Sequence, residues 1–482
     1  MKNTYTRMVL IALLLAVSLT ACKKSFLEVV PKGKLIAQTS SDYNLLLSNL
    51  DLLNIGAANV QVFMGDEVAA VEPYFSVAAL KTQRAFRWDP VIYEPNEDAG
   101  ETLIPMKNIY LYNKVINEVP DATDGTDALK LTIAAEARAG RAWTYFMLIN
   151  YYGKPYNAAT ATTDPGFPIV EAADVTTTTF TRASVQQVYD FIIKDLVTAI
   201  PSLNVQVTNR TRMSKAAAEG ILGKVYMFMG RFNDALPMLN AAIADMANQA
   251  TPVRLYDYNV EFATGGVFLP ISTSTGPASV LLPNNVESVY AKQFSNSWTF
   301  TANEIVITPQ TAALYGSSDL RLKFFVNSTY STKLAYPVAG VLRRQGGSQT
   351  TFGVLVPDLY LLRAECKCRN NDLAGAKVDV EALRVKRMPA ANAVVPAATA
   401  NDKTLLLQFI LDERVREFAV QGARWFDMRR LSVDPLFQAN TYTHTLYSAT
   451  GVPTLFQLKP ERLVLRFPQK LMDQNPNIEN NP

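Results

Sequence analysis

The chain has 482 residues, 46 basic and 43 acidic, for a formal charge of +3; no basic run could track a phosphate backbone, so nucleic acid is not an expected partner. That length can hold two or three ordinary domains or one large helical array. The single histidine, His444, stands in a Thr/Tyr segment with no catalytic pattern around it, so neither a Ser/His/Asp triad nor a Cys/His dyad is expected.

The first predicted element is a leader. Lys2 and Arg7 form a basic start, Met8 to Leu19 is apolar, and Leu19-Thr20-Ala21-Cys22 closes it. Twelve helical residues rise about 18 Å, short of a hydrocarbon core of about 30 Å, so residues 1–21 read as a cleaved signal peptide rather than a span. The Leu-x-Ala-Cys ending resembles a bacterial lipobox, which implies acylation of Cys22. A tether follows to Lys34, then a helix from Ser41 or Asp42 with Tyr43, Leu46, Leu47 and Leu50 on one face.

Residues 54–100 lose helical periodicity and gather Gly, Pro and aromatic side chains, among them Phe63, Tyr74, Phe75, Phe86, Trp88 and Tyr93. Periodicity returns with Ile109, Tyr112, Val115, Ile116 and Val119, and again from Leu129 to Tyr152. Ser184 then opens a helix in which Val188, Ile192, Leu196 and Ile200 recur at i+4. Between Met213 and Asn248 the residues Leu222, Gly223, Tyr226, Gly230, Phe232, Ala235, Leu239 and Ala242 keep the register of a tetratricopeptide repeat. Such a hairpin cannot bury its face alone, so further units are expected beside it. Residues 251–336 are rich in Ser, Thr, Asn, Gly and Pro, with scattered aromatics. A structureless loop of that length is implausible, and short strands or helices are expected within it.

From Val356 the helical pattern resumes. Leu359, Leu362 and Cys366 share a face, Asn370-Asn371 breaks it, and Leu373, Ala376, Val380 and Leu383 restore it, which is a second hairpin. Cys366 and Cys368 point about 200° apart on a helix, so they read as packing residues rather than a disulfide or zinc pair. The last long helix carries Leu407, Ile410, Leu411, Val415 and Phe418 with Glu413, Arg414, Arg416 and Glu417 between them. Gly422 interrupts it, and Arg424, Asp427 and Arg430 follow at steps that permit ion pairing along one face.

The order Glu413, Arg414, Glu417, Gly422, Arg424, Asp427, Arg430 resembles the C-terminal signature of the SusD/RagB family. The Leu-Leu-Arg-Ala-Glu block at 361–365, the run Glu136, Arg138, Arg141, Ala142, Tyr145, Phe146, Leu148, Tyr152, Gly153, and the Asn-Pro ending after Arg466-Phe467-Pro468 are similar to that family as well. The resemblance implies a mostly α protein: a tetratricopeptide-like scaffold (about 40–53, 103–153, 184–248 and 355–431) with loop-rich inserts and minor β, as one domain over 22–482. It implies ligand-face inserts at about 54–100 and 251–336. It further implies a lipid-anchored outer-membrane lipoprotein, facing outside, that captures an oligosaccharide and hands it to a SusC-like TonB-dependent transporter. Members of the RagB kind bind peptides instead.

Neutral sugars present hydroxyls and C–H patches, which aromatic faces and a few amides or carboxylates recognise. The candidates in the inserts are Trp88, Tyr93, Asn96, Tyr290 and Trp298, with Asp66, Glu67 and Arg84 as polar partners. Large aromatics in irregular segments also serve to pin those segments to a core. Glu413 and Glu417 lie one turn apart and paired carboxylates are what glycoside hydrolysis needs, but interleaved with arginines on one helix face they read as an ion-pair network. No phosphate loop, dinucleotide fingerprint, zincin helix or nucleophile elbow is present, and no enzyme activity, metal or cofactor is expected. An adaptor built on the repeat face is the remaining class.

Overall fold

The computed structural model describes residues 37–56, 60–177, 179–247, 249, 251–269, 285–295, 302–346 and 349–482. Cys22 with its leader and Trp298 lie outside these. Helix α1 (Ser40–Leu46) opens the described chain. It starts one residue before the expected Ser41, its cap is Thr39, and Asp42 closes a capping box with it. Helix α3 (Gly100–Glu118) follows α2 (Leu80–Phe86) and starts ahead of the apolar stripe, with Pro105 tolerated in its first two turns. The long helix α4 (Asp127–Tyr152) packs on α3 and on α5 (Val185–Ala199).

Local sequence explains these boundaries. Ser184 accepts from the Gln187 N–H while the Gln187 side chain accepts from the Ser184 N–H, and the stripe Val185, Val188, Ile192, Leu196 is buried beneath. Ser184→Ala should therefore cost about 1 kcal/mol, read from urea unfolding, and an unchanged midpoint would show the cap to be idle. Arg141 is buried on α4 and grips Asp195 of α5 through Nε at 2.8 Å, and Glu136 holds Arg212 at 2.8 Å. Arg138 also reaches Asp195, at 3.6 Å, so all three charges of the Glu-Ala-Arg-x-x-Arg run are stitches between elements.

The repeat hairpin is α6 (Lys215–Phe228) and α7 (Phe232–Met246). A Cβ on Gly223 would stand 2.8 Å from Leu239 Cγ, so glycine there sets the helix separation. Tyr226 and Phe232 are only half-buried and lie beneath Arg231 and Arg369. Helix α7 packs directly on α8 (Val356–Arg369), so the scaffold continues across the second insert. Helix α9 (Leu373–Arg384) turns back after Asn371, whose φ of 66° suits asparagine at a helix end. Cys366 faces the main core and Cys368 the cluster between α8, α9 and α10 (Lys403–Phe418), and burial pushes the Cys368 thiol up to about 11. Gly422, at φ 83°, turns the chain from α10 into α11 (Ala423–Leu431), and a Cβ there would meet Gln61 Cγ at 2.6 Å.

Short strands appear in both inserts. β1 (Val68–Val71) lies in a four-stranded sheet ordered β10-β9-β1-β4, with β4 (Ile305–Ile307), β9 (Thr443–Tyr447) and β10 (Pro453–Gln457). β1 runs antiparallel to β4, with Ala69 opposite Val306, and parallel to β9, with Ala70 opposite Leu446. β2 (Ser288–Tyr290) pairs β8 (Val354–Leu355), β3 (Gln293–Ser295) pairs β7 (Gln349–Thr351), and β5 (Phe325–Val326) pairs β6 (Arg343–Arg344). The C-terminal tail seals the end of α4: Phe467 stacks on Tyr152 at 4.6 Å, and Arg182 and Asn481 both donate to the Tyr152 carbonyl. Among the described residues no helix is long and apolar enough to cross a membrane.

Candidate ligand face

The pairing of β1 with β4 joins the two inserts on one small sheet. One face of it carries a compact cluster in which Ala69, Val71, Val306, Tyr336 and Val341 are buried, with Tyr74, Val338 and Tyr447 half-buried against them. Tyr74 meets Tyr336 edge to face at 6.3 Å. The turn between β9 and β10 closes on this cluster, since a Cβ on Gly451 (φ 84°) would lie 3.3 Å from the Pro337 carbonyl.

Polar groups border the rings. Tyr336 Oη donates to the Asn303 carbonyl at 3.0 Å, and the Asn303 side chain accepts from the Tyr330 N–H at 2.6 Å. The guanidinium of Arg343 lies 5.8 Å from the Tyr330 ring centroid. Glu304 is half-buried, and no lysine or arginine among the described residues pairs with it. Burial raises its carboxyl pKa, and the N–H groups of Glu304 and Asn303 offset this only in part. The face thus offers half-buried tyrosine rings beside a carboxylate and an amide whose acceptor capacity is not used up by cations. That composition suits hydroxyl-bearing ligands with C–H patches.

The sequence-derived candidates fall elsewhere. Trp88 is 3% exposed: it stacks on His444 at 3.8 Å and donates Nε1–H to the Met64 carbonyl. Phe86 covers the histidine at 4.4 Å, and His444 Nε2 lies 2.7 Å from the Gly65 carbonyl, so the only histidine is a packing hub. Tyr93 is buried with its hydroxyl on the Glu101 carboxylate at 2.6 and 2.7 Å. Tyr290 is buried against α3, its Oη 3.4 Å from that of Tyr112. These three aromatics pin the inserts to the core and do not form an exposed platform. Trp88 and Tyr93 do share the wall of a cavity of about 60 Å³ with the C-terminal tail.

The polar candidates are also engaged. Asp66 pairs with Arg424, which the sequence had placed beside Asp427. Glu67 is buried, with Oε1 3.3 Å from the Val420 N–H. Arg84 pairs with Glu94 at 2.7 Å, and Asn96 is exposed in the neighbouring turn. Arg84, Trp88, Tyr93 and Asn96 thus share one segment, and Tyr290 stands apart from them against Tyr112. Tyr447 and Glu304 were not singled out from sequence. The alternation Thr443-His444-Thr445-Leu446-Tyr447, followed by a Gly-containing turn and Thr454-Leu455-Phe456, was the hairpin signal that could have found the first.

The paired glutamates are locked in place. Glu413 contacts Arg321, Arg384 and Arg416 at 2.6–2.7 Å, and Glu417 contacts Arg387 and Arg321 at 2.7 and 2.9 Å. Arg414 bridges Asp358 and Asp427, and Arg430 bridges Asp427 and Glu365. The Glu-Arg-x-x-Glu to Asp-x-x-Arg signature is therefore a buried ion lattice joining α8, α10 and α11. Among the described residues no three His, Cys, Asp or Glu side chains gather as a metal site requires.

Comparison with known proteins agrees with this architecture. Residues 96–227 match a family described as starch-binding, associating with the outer membrane, and residues 344–482 match the SusD family; together they span more than half of the chain. A SusD superfamily protein from Bacteroides thetaiotaomicron superposes with a TM-score of 0.70 at 17% identity, over 92% of this chain and 100% of that one. One from Bacteroides fragilis gives 0.69 at 16% identity, over 92% and 99%. A SusD-like carbohydrate binding protein from Bacteroides vulgatus gives 0.65 at 16% identity, over 91% and 97%. At such identities the likeness is one of fold. No curated protein matches the chain in sequence.

Proposed function

Starting from the chain's membership of the SusD/RagB family, we propose that it is a carbohydrate-binding protein that takes an oligosaccharide on the face formed by the half-buried rings of Tyr74, Tyr330 and Tyr447, backed by buried Tyr336, with Glu304 and Asn303. The observation that carries this reading is the β1–β4 pairing, which sets tyrosines from both inserts and an unpaired carboxylate around one patch. Sugar C–H groups lie against the rings while Glu304 and Asn303 accept from hydroxyls. Binding is an equilibrium capture with no bond made or broken. In the same reading Cys22 carries the lipid anchor, the protein stands on the outer membrane facing outside, and the captured chain passes to a SusC-like TonB-dependent transporter. A family member of this fold named as a carbohydrate binding protein supports the ligand class.

Calorimetric titration of purified protein with maltoheptaose, xylohexaose, mannohexaose and a tryptic peptide mixture tests it. Tyr74→Ala and Tyr447→Ala should each weaken the bound glycan about 10-fold or more, equivalent to about 1.4 kcal/mol. Glycan affinity unchanged in both variants would place the site elsewhere. Binding confined to peptides would move the protein to the RagB kind, which needs a groove with free backbone partners and apolar pockets.

A further inference from the structure

A recess of about 120 Å³ lies between the roots of the second insert and the α10–α11 joint. Tyr256, Phe268 and Phe324 form its apolar walls, and Asn285, Gln345, Thr351 and Gln421 supply neutral hydrogen-bonding groups. Two carboxylates also reach it, Glu287 and Glu417. Both are taken: Arg387 donates to each at 2.7 Å, and Arg321 to Glu417 at 2.9 Å. In this network Arg321, Arg384, Arg387 and Arg416 face Asp319, Glu287, Glu413 and Glu417, four cations against four anions.

Arg344 lines the same recess and is left over. Its guanidinium lies 5.3 Å from the Phe324 ring centroid and 5.6 Å from that of Phe325. The guanidinium makes one hydrogen bond among the described residues, a long one of 3.4 Å to the Ala419 carbonyl, and no described carboxylate pairs with it. Burial works against its charge. A guanidinium presents five donors in a planar fork that matches a carboxylate or sulfate edge. The surrounding amides and hydroxyls can serve sugar hydroxyls, and the rings a sugar's C–H face.

The geometry points to this recess as a subsite for an acidic group on the glycan, a uronate carboxylate or a sulfate ester, anchored by Arg344. The assignment rests on the carbohydrate reading above and adds a charge requirement to it. It uses a different surface from the tyrosine face, so the two can fail separately.

Purified protein is titrated with trigalacturonate, with its carboxyl-reduced neutral counterpart and with an O-sulfated galactose trisaccharide. At least one acidic probe should bind 10-fold or more tightly than the neutral one, and the preference should shrink as salt rises. Arg344→Gln should abolish the preference, Arg344→Lys should keep part of it, and neither should alter affinity for a neutral glycan bound at Tyr74 and Tyr447. Should the glutamine variant unfold, protection of Arg344 in the native protein from phenylglyoxal, read by peptide mass, gives the same answer without mutation. A carboxylate-only or sulfate-only response identifies the group. Equal affinity for acidic and neutral probes, or no protection of Arg344, overturns the subsite. Neutral glycan binding that persists beside that result leaves the carbohydrate reading intact, and silence toward every sugar overturns both.

Discussion

Glu413→Gln should destabilise the protein by about 3–5 kcal/mol, because it removes the anion from a buried cluster and leaves its cations unmatched. Glu413 has no exposed surface and contacts Arg321, Arg384 and Arg416, which come from the second insert, α9 and α10. An amide keeps the shape and loses the charge, so the penalty measures electrostatics rather than packing. Burial alone would raise the Glu413 carboxyl, but Arg321, Arg416 and Arg384 outweigh it and hold it far below the usual range. A folded-state pKa below the unfolded value of about 4.3 gives stability that is fully present above that pH and is lost as pH falls through the acid range. Urea unfolding at pH 7 and pH 4 reads both effects: the variant should be weaker at pH 7 and lose less on acidification. Equal stability of the two proteins at pH 7 would mean that the cations find other partners.

Glu67→Gln should act with the opposite sign and show itself at alkaline pH. Burial, reinforced by the charge of Asp66, pushes the Glu67 carboxyl up to about 8. One oxygen faces the Val420 N–H, and Oε2 has no hydrogen-bond partner among the described residues. The folded protein therefore keeps a proton that the unfolded chain releases near pH 4.3. Stability falls by about 1.4 kcal/mol per pH unit between that value and about 8, and is level beyond. Glutamine mimics the protonated acid, so the variant should exceed the native protein by only about 1 kcal/mol at pH 5 and by several kcal/mol at pH 9. Thermal unfolding at the two pH values decides this, and a difference independent of pH would show that Glu67 stays ionised in the fold.

These two glutamates mark how far sequence carries. Glu413 was read as part of an ion-pair network from its spacing with Arg414 and Arg416, and the lattice is there. Its main partners, Arg321 and Arg384, lie 92 and 29 residues away and have no local signature. Glu67 reads from sequence as a polar partner for sugar hydroxyls because it lies in an insert that also gathers aromatic residues. What buries it is α10–α11, more than 350 residues later in the chain.

Sequence by itself determined the helices and their family. The capping box at Ser184, the small residue at Gly223, the turn at Asn371 and the break at Gly422 act within one or two helical turns, where periodicity and backbone preference suffice. Tertiary structure alone decided the sidedness of the inserts. A tryptophan or tyrosine in a loop has the same local pattern whether it pins the loop inward or faces a ligand. Trp88 turned inward because His444, 356 residues on, was there to stack against it. Tyr74 stayed at the surface because β1 found β4 and β9, placing it beside Tyr336 and Tyr447. Such choices are fixed by long-range strand pairing and by which apolar faces are already occupied, and neither is written in the spacing of neighbouring residues.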